Sequence, residues 1–314
     1  MIKWIEILLH NFSAAINHCG NISKQFSIGR GCRQGDPIAS YLFILCIEIL
    51  AHKLRSDPRV SSFEIGQTSH LLEIYADDMS VFLKPDPDNI RHVVGILDKF
   101  FKLSGLKISV TKTKAIWFGS NYNSSEKLCP ELGLVWVKNF TLLGINFDNN
   151  LTKMEQNFED KIEKIEKMLS CWFYRYLTPY GKVTIIKTLA LSKLSHVALV
   201  VPNPTKQMFK KIETIFYKFI WNNKSEKVSR EDTKLPEKMG GLNMPDIEKF
   251  WMAFKFSWLR RALTTSAFWP KILSQQILLT HGTQISPCDL LQLGPAQLGQ
   301  IGKKIKNKFW SQVL

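Results

Sequence analysis

The sequence predicts an α+β fold, with a first half that mixes strands and helices and a second half that is mostly helical. Three observations carry this. From Leu71 to Leu83, apolar and polar residues alternate on both sides of Asp77-Asp78, the two-residue period of a strand hairpin. From Asn157 the texture changes: Phe158, Ile162, Ile165 and Leu169 recur at helical spacing, with Lys and Glu between them. The charge shifts at the same place. Residues 1–157 hold 17 Lys and Arg against 15 Asp and Glu, a balance of +2, and residues 158–314 hold 25 against 12, a balance of +13.

Taken in order, residues 2–18 have the spacing of an amphipathic helix, with Ile2, Ile5, Leu8, Leu9 and Phe12 on one stripe. Gly20-Asn21 breaks it, and residues 22–28 alternate loosely as a strand would. Gly29 to Pro37 is a glycine-rich loop closed by proline. Residues 39–55 are apolar nearly all round until His52, Lys53 and Arg55. That pattern describes a buried helix whose terminal cations suit its negative end. After the acidic hairpin, Val93, Val94, Leu97, Phe100 and Phe101 mark a helix over 88–104, which Gly105 ends. Strand-like pieces follow at 114–119 and 140–147, then further helices at 180–200, 205–221 and 246–264. These elements divide the chain near residue 150 into 1–150, 151–265 and a helical extension, 266–314.

With 314 residues, 45% of them hydrophobic, the chain can bury substantial cores in two or three lobes. The net charge of +15, concentrated in one half, suits a face that meets a polyanion such as nucleic acid. A basic, solvated surface without a partner fits the same numbers. Cys19, Cys32, Cys46, Cys129, Cys171 and Cys288 form no CxxC pair. They indicate neither a zinc site nor a disulfide framework, and fit a reducing compartment. Cys46, in an apolar run, reads as a small core residue. No uncharged apolar run reaches the length of a membrane span, and the start lacks a signal-peptide pattern.

Adjacent carboxylates repel, so each raises the other's pKa unless a cation intervenes. A tight turn tolerates aspartate for backbone reasons alone. Here, however, the pair sits between two apolar strands, Ile74-Tyr75-Ala76 and Met79-Ser80-Val81-Phe82-Leu83. Such an apex can offer oxygen ligands to a hard divalent ion.

Tyr75-Ala76-Asp77-Asp78 resembles the acidic box of reverse transcriptases, and further stretches resemble that family's motifs in the family's order. They are Arg33-Gln34-Gly35-Asp36-Pro37, Ser104 to Ser109 with Lys112-Thr113, and Phe140-Thr141-Leu142-Leu143-Gly144-Ile145. Trp221-Asn222, Gly240-Gly241-Leu242 and Pro245-Asp246-Ile247 resemble the non-long-terminal-repeat, long interspersed type of retrotransposon. The resemblance covers nearly the whole chain. It implies a palm of antiparallel sheet and helices over 1–150, a helical thumb over 151–265, and RNA-directed DNA synthesis. The substrates would be an RNA template, a DNA primer and deoxynucleoside triphosphates, with two Mg2+ ions in a complete enzyme and no membrane. A nucleic-acid-binding remnant without chemistry would have the same sequence features.

By the same resemblance, Asp77 is the direct metal ligand and Asp78 supports the metals. Tyr75 would lie near the primer terminus, although a strand aromatic equally suits a core. Arg33, Gln34 and Gly35 would line the nascent base pair; Gly35-Asp36-Pro37 also reads as an ordinary turn before a helix. Lys112 would meet the triphosphate or act as a general acid, or it is a solvated loop lysine. Ser109 departs from the family's usual asparagine. Leu143 and Gly144 fall in the primer-grip match, where Leu142, Leu143 and Ile145 read more simply as core. Lys182, Lys187, Lys210, Lys211, Arg260 and Arg261 are the candidates for phosphate contact. Trp172, Trp221, Trp251, Trp258 and Trp269 read as core rather than as base-stacking residues.

The family's site uses a third carboxylate from a strand ahead of the Arg33 loop. Before Arg30 the sole acidic residue is Glu6, in a helical stretch. Ile2-Lys3-Trp4-Ile5 resembles text that follows the family's first motif, so that motif, like the fingers, is expected upstream of Met1. A clamp lacking one carboxylate loses electrostatic stabilisation, usually the largest catalytic contribution. Residues 1–314 alone are therefore expected to show little synthesis in a primer-extension assay on RNA with magnesium, and robust synthesis would overturn this expectation.

Overall fold

The computed structural model describes residues 2–10, 13–29, 31–32, 35–65, 68–107, 109, 111–265, 267–282 and 285–314. Its elements are helices and small two-stranded, mostly antiparallel sheets, which is the α+β class expected. The chain forms two compact units, Met1–Glu64 with Ser69–Ser109, and Ile65–Thr68 with Val110–Leu314.

The first unit opens with α1 (Ile2–Leu9). The single helix expected over 2–18 is corrected here: a strand ribbon occupies its second half. In this ribbon β1 (Ser13–Ala14) pairs with β4 (Phe26–Ser27), and β2 (Asn17–His18) with β3 (Asn21–Ile22). Cys19 and Gly20, at φ 49° and 87°, form a two-residue turn between β2 and β3 that helical backbone cannot accommodate. α2 (Ala39–Ser56) starts where Asp36 Oδ1 accepts the Ile38 N–H at 3.0 Å. Its all-round apolar sequence suggested burial, yet only Leu50, Ala51 and Leu54 are buried. Tyr41, Ile44, Leu45 and Ile49 are exposed, as is Cys46, which corrects its reading as core. The core shared with the hairpin and α3 meets α2 at Leu50, Ala51 and Leu54, in its second half.

β5 (Phe63–Ile65) and β6 (Thr68–His70) form a small sheet. β7 (Leu72–Tyr75) and β8 (Asp78–Val81) form the expected acidic hairpin, and α3 (Pro87–Ser104) follows. Asp86 caps α3 by accepting the Asp88 and Asn89 N–H groups, and Gly105 ends it at φ 77°, as its sequence predicted. Leu50, Ala51, Leu54, Leu72, Val93, Ile96 and Leu97 make one core from α2, the hairpin and α3. Asp57 ties the two helices together. It accepts from Arg59 and contacts Lys53 at 3.3 Å and His92 at 3.2 Å. Arg59 beside it holds its carboxyl well below the usual carboxylate range.

In the second unit, β9 (Lys114–Ala115) and β10 (Val135–Trp136) pair in parallel. β11 (Asn139–Leu142) and β12 (Ile145–Asp148) form a hairpin. Then come α4 (Gln156–Phe173), α5 (Pro179–Ile185), α6 (Leu191–Val200), α7 (Lys206–Ile220), α8 (Arg230–Lys234) and α9 (Ile247–Ala262). A π-turn over Ile186–Ala190 joins α5 to α6. The continuous run Pro179–Val200 is long and apolar enough to cross a bilayer by length and composition. In this fold its buried residues, including Val183, Ile186, Leu194 and Val197, pack into the helical core with Phe158, Phe216 and Trp251. Between α8 and α9, a Cβ added to Gly241 would collide with the Leu235 carbonyl, so only glycine fits there.

The last helices, α10 (Trp269–His281), α11 (Pro287–Gln292), α12 (Pro295–Lys304) and α13 (Lys308–Val313), gather a smaller core with the end of α9. Trp258, Trp269 and Trp310 meet there, the last two stacked 5.6 Å apart. Trp251 is wholly buried, and Trp172, Trp221, Trp258 and Trp269 are partly buried, which agrees with their reading as core.

Lys255 is buried, and its ammonium donates to the Ala198 and Val201 carbonyls at the C-terminal end of α6. Desolvation pushes its pKa down to about 7. The unfolded chain therefore binds one more proton than the folded chain between about 7 and the ordinary lysine value of 10.5. Stability should rise with pH across that window, by at most about 1.4 kcal/mol per unit. Urea unfolding from pH 7 to 10 should show this slope in the wild type, and Lys255→Met should flatten it.

A candidate polymerase site on the acidic hairpin

The pleat of the hairpin decides which side chains meet water. Leu72 faces Val81 and Ile74 faces Met79 across the ladder; all four lie on the core side with α2 and α3. The intervening pairs, Glu73 with Ser80 and Tyr75 with Asp78, point the other way. Tyr75 is 69% exposed, so it is not the core aromatic that a strand position also allowed. Tyr75 and Asp78 thus share the outer face at the apex, next to Asp77 in the turn.

Ala76 and Asp77 form that two-residue turn. Ala76 has φ 51°, a left-handed conformation that costs a residue with a Cβ about 1–2 kcal/mol. Its methyl group keeps the apex small. Ala76, Asp77 and Asp78 are all exposed. Two carboxylates at an open apex provide hard oxygen donors without steric obstruction. That donor set suits magnesium, which takes few carboxylates and keeps several waters. Among the described residues, no three His, Cys, Asp or Glu side chains gather into a metal-binding group.

Gly35 precedes α2 at φ 89°, where a side chain would be strained and where backbone can approach a ligand closely. Arg33 and Gln34 lie outside the described residues.

In the second unit, Lys112 is exposed in a turn. Leu143 and Gly144 form the β11–β12 turn, at φ 48° and 77°, a pair of left-handed residues that suits a tight hairpin. Leu143 is exposed, Leu142 half-buried and Ile145 buried, so the core reading holds for Ile145 but not for Leu143. Asn157 fixes this hairpin to α4: its Oδ1 accepts the Asn146 N–H at 2.7 Å and its Nδ2 donates to the Asn146 carbonyl at 2.8 Å. Nothing in the sequence pattern singled out Asn157; an amide at a buried helix position was the signal available.

A family model of reverse transcriptases, RNA-dependent DNA polymerases, matches residues 2–147, a stretch that includes the acidic hairpin, the Gly35 loop and the β11–β12 hairpin. Residues 2–147 are thus similar to the reverse transcriptase family.

The proteins this chain is similar to include proteins of transposable elements. The Pol polyprotein of the type-2 retrotransposable element R2DM of Drosophila melanogaster is 22% identical over 303 residues, covering 88% of this chain and 26% of that protein. An uncharacterized protein of the transposon TX1 of Xenopus laevis is 25% identical over 249 residues, 77% of this chain and 18% of its own length. An uncharacterized mitochondrial protein of Arabidopsis thaliana is 41% identical over 58 residues, 16% of this chain and 46% of that protein. The chain thus spans less than half the length of each of these relatives.

The cations expected to touch phosphate divide by burial. Lys210, Lys211, Arg260 and Arg261 are exposed, and Lys187 is half-buried. Arg261 lies over the Trp258 ring, 5.6 Å from its centroid. Lys182 is corrected: it is buried, and its ammonium donates to the Phe219 carbonyl at 3.0 Å, the Ile220 carbonyl at 3.2 Å and Asn222 Oδ1. It caps the C-terminal end of α7, where carbonyls lack helical partners. Desolvation lowers its pKa.

These two settings predict opposite phenotypes. Lys182→Met should cost about 1–3 kcal/mol of stability by orphaning the α7 carbonyls, with affinity for RNA unchanged in the folded fraction. Lys210→Glu with Lys211→Glu should keep the melting temperature and weaken RNA binding, with a shallower salt dependence.

Proposed function

We propose that the chain forms the palm and thumb of an RNA-directed DNA polymerase that extends a DNA primer on an RNA template. Residues 1–150 would be the palm, 151–265 the thumb and 266–314 a helical extension. The observation that carries this reading is the exposed acid pair at a strand-turn-strand apex, set on a core of two helices.

Asp77 and Asp78 would hold magnesium, two ions in the assembled site. When bound, magnesium supplies charge neutralisation at the attacking and leaving oxygens of nucleotidyl transfer. The chain's own contribution is placement. The Leu72, Ile74, Met79 and Val81 face anchors the hairpin, so the carboxylates hold their position without moving during turnover. Tyr75, beside Asp78 on the outer face, would support the primer end. Gly35, with Arg33 and Gln34, would border the new base pair, and Lys112 would meet the triphosphate. Leu143 and Gly144 would grip the primer. The second-unit cations outside the core, Lys187, Lys210, Lys211, Arg260 and Arg261, would hold backbone phosphates, and deoxynucleoside triphosphates would be the second substrate.

A second reading, RNA and DNA binding without chemistry, draws support from the acid pair having no third clustered ligand among the described residues. The test begins with the metal. Fe2+ with ascorbate and peroxide, in place of Mg2+, should cut the full chain close to residues 76–79. Excess Mg2+ should suppress the cut, and Asp77→Asn with Asp78→Asn should remove it. A cut elsewhere, or one that survives the double substitution, defeats the polymerase reading; template–primer binding that persists without any hairpin cut favours the second.

A further inference from the structure

The junction of α4 and α5 leaves three tyrosines in water within seven residues. Tyr174 is 86% exposed, Tyr176 109% and Tyr180 46%. Single exposed apolar residues are ordinary, but a cluster of large rings on one short connection is not. The connection is well defined. Arg175 N–H donates to the Trp172 carbonyl at 3.1 Å, Leu177 N–H to the Arg175 carbonyl at 2.8 Å, and Thr178 caps α5 by accepting the Gly181 N–H. Lys182 locks the first turn of α5 onto the end of α7. Arg175 lies over the Trp172 ring, 4.7 Å from its centroid, and remains exposed.

Charge indicates what covers these rings. From Lys167 to Ile212 the sequence contains no Asp or Glu, while Lys167, Arg175, Lys182, Lys187, Lys193, Lys206, Lys210 and Lys211 all fall within it. Of these, Lys182 is in the core and Lys167 is paired with Glu163 at 2.5 Å; the other six are outside the core. An acid-free cationic stretch repels basic surfaces and attracts a polyanion. Rings that project from it complement unpaired bases, whose π-faces are accessible only outside a duplex.

We infer that Tyr174, Tyr176 and Tyr180, with Arg175, form a stacking platform for single-stranded RNA or DNA. This rests on the nucleic-acid reading of the chain and is separate from the acid pair. The platform is sequence-tolerant, since every base offers a ring face, and the lysines of the same acid-free stretch follow the phosphates.

The full chain is titrated with a labelled oligoadenylate and, separately, with the same strand annealed to its complement. Tyr174→Ala with Tyr176→Ala and Tyr180→Ala should weaken the single strand by about tenfold or more. Duplex affinity and the slope of affinity against salt should stay the same, because no phosphate contact is lost. The three phenylalanine substitutions together should keep wild-type affinity, and the exposed positions should leave the melting temperature unchanged. An alanine variant that holds the single strand as tightly as the wild type overturns the platform while leaving the polymerase reading intact. Wild-type chain that binds the duplex but not the oligoadenylate does the same, and wild-type chain that binds neither removes both.

Discussion

The strict two-residue alternation of the β7–β8 ladder is the constraint on which the candidate site depends. Once Leu72, Ile74, Met79 and Val81 are drawn into the core with α2 and α3, their neighbours must face outward. Tyr75 and Asp78 share the outer side for that reason, and the two-residue turn exposes Asp77. A slip of β8 by one residue would turn Asp78 and Ser80 inward and Met79 and Val81 outward. The cost of that exchange pins the register more firmly than the ladder hydrogen bonds do. The repulsion between the acids is therefore tolerated because the rest of the hairpin has nowhere else to go.

The helical unit uses a different device. Lys182 and Lys255 are both buried and both donate to carbonyls at a helix end, of α7 and α6 respectively. Helix C-termini carry unpaired carbonyls and partial negative charge, so an ammonium placed there satisfies hydrogen bonds and offsets part of its own desolvation. The Trp258 indole adds a further donor at the end of α6, to the Leu199 carbonyl at 2.8 Å. In a chain rich in lysine, some cations thus hold helices together while others face solvent, and identical residue types in similar sequence surroundings perform both tasks.

The periodic elements were legible in the sequence. The acidic hairpin, the α3 helix with its Gly105 stop and the main second-unit helices follow from spacing and caps, because those signals act within a few residues. The strand ribbon after α1 was not legible. The apolar stripe of residues 2–18 mimics a helix, and the turn at Cys19-Gly20 that wins is a short, local backbone preference hidden in a longer pattern. The open first turns of α2 were missed for a related reason: an apolar helix says that burial is favourable, not which element provides it.

By itself the sequence determined the α+β class, the acid pair at a hairpin tip and the kinship with reverse transcriptases, because strand alternation, turn chemistry and motif order are written along the chain. Only the tertiary structure decided that Tyr75 faces water, that Lys182 and Lys255 are buried caps and that three tyrosines stand exposed where α4 gives way to α5. Those outcomes depend on which surfaces meet after folding. A lysine becomes a cap or a free surface charge according to whether a distant helix happens to end beside it, and that proximity is a property of packing that no local spacing encodes.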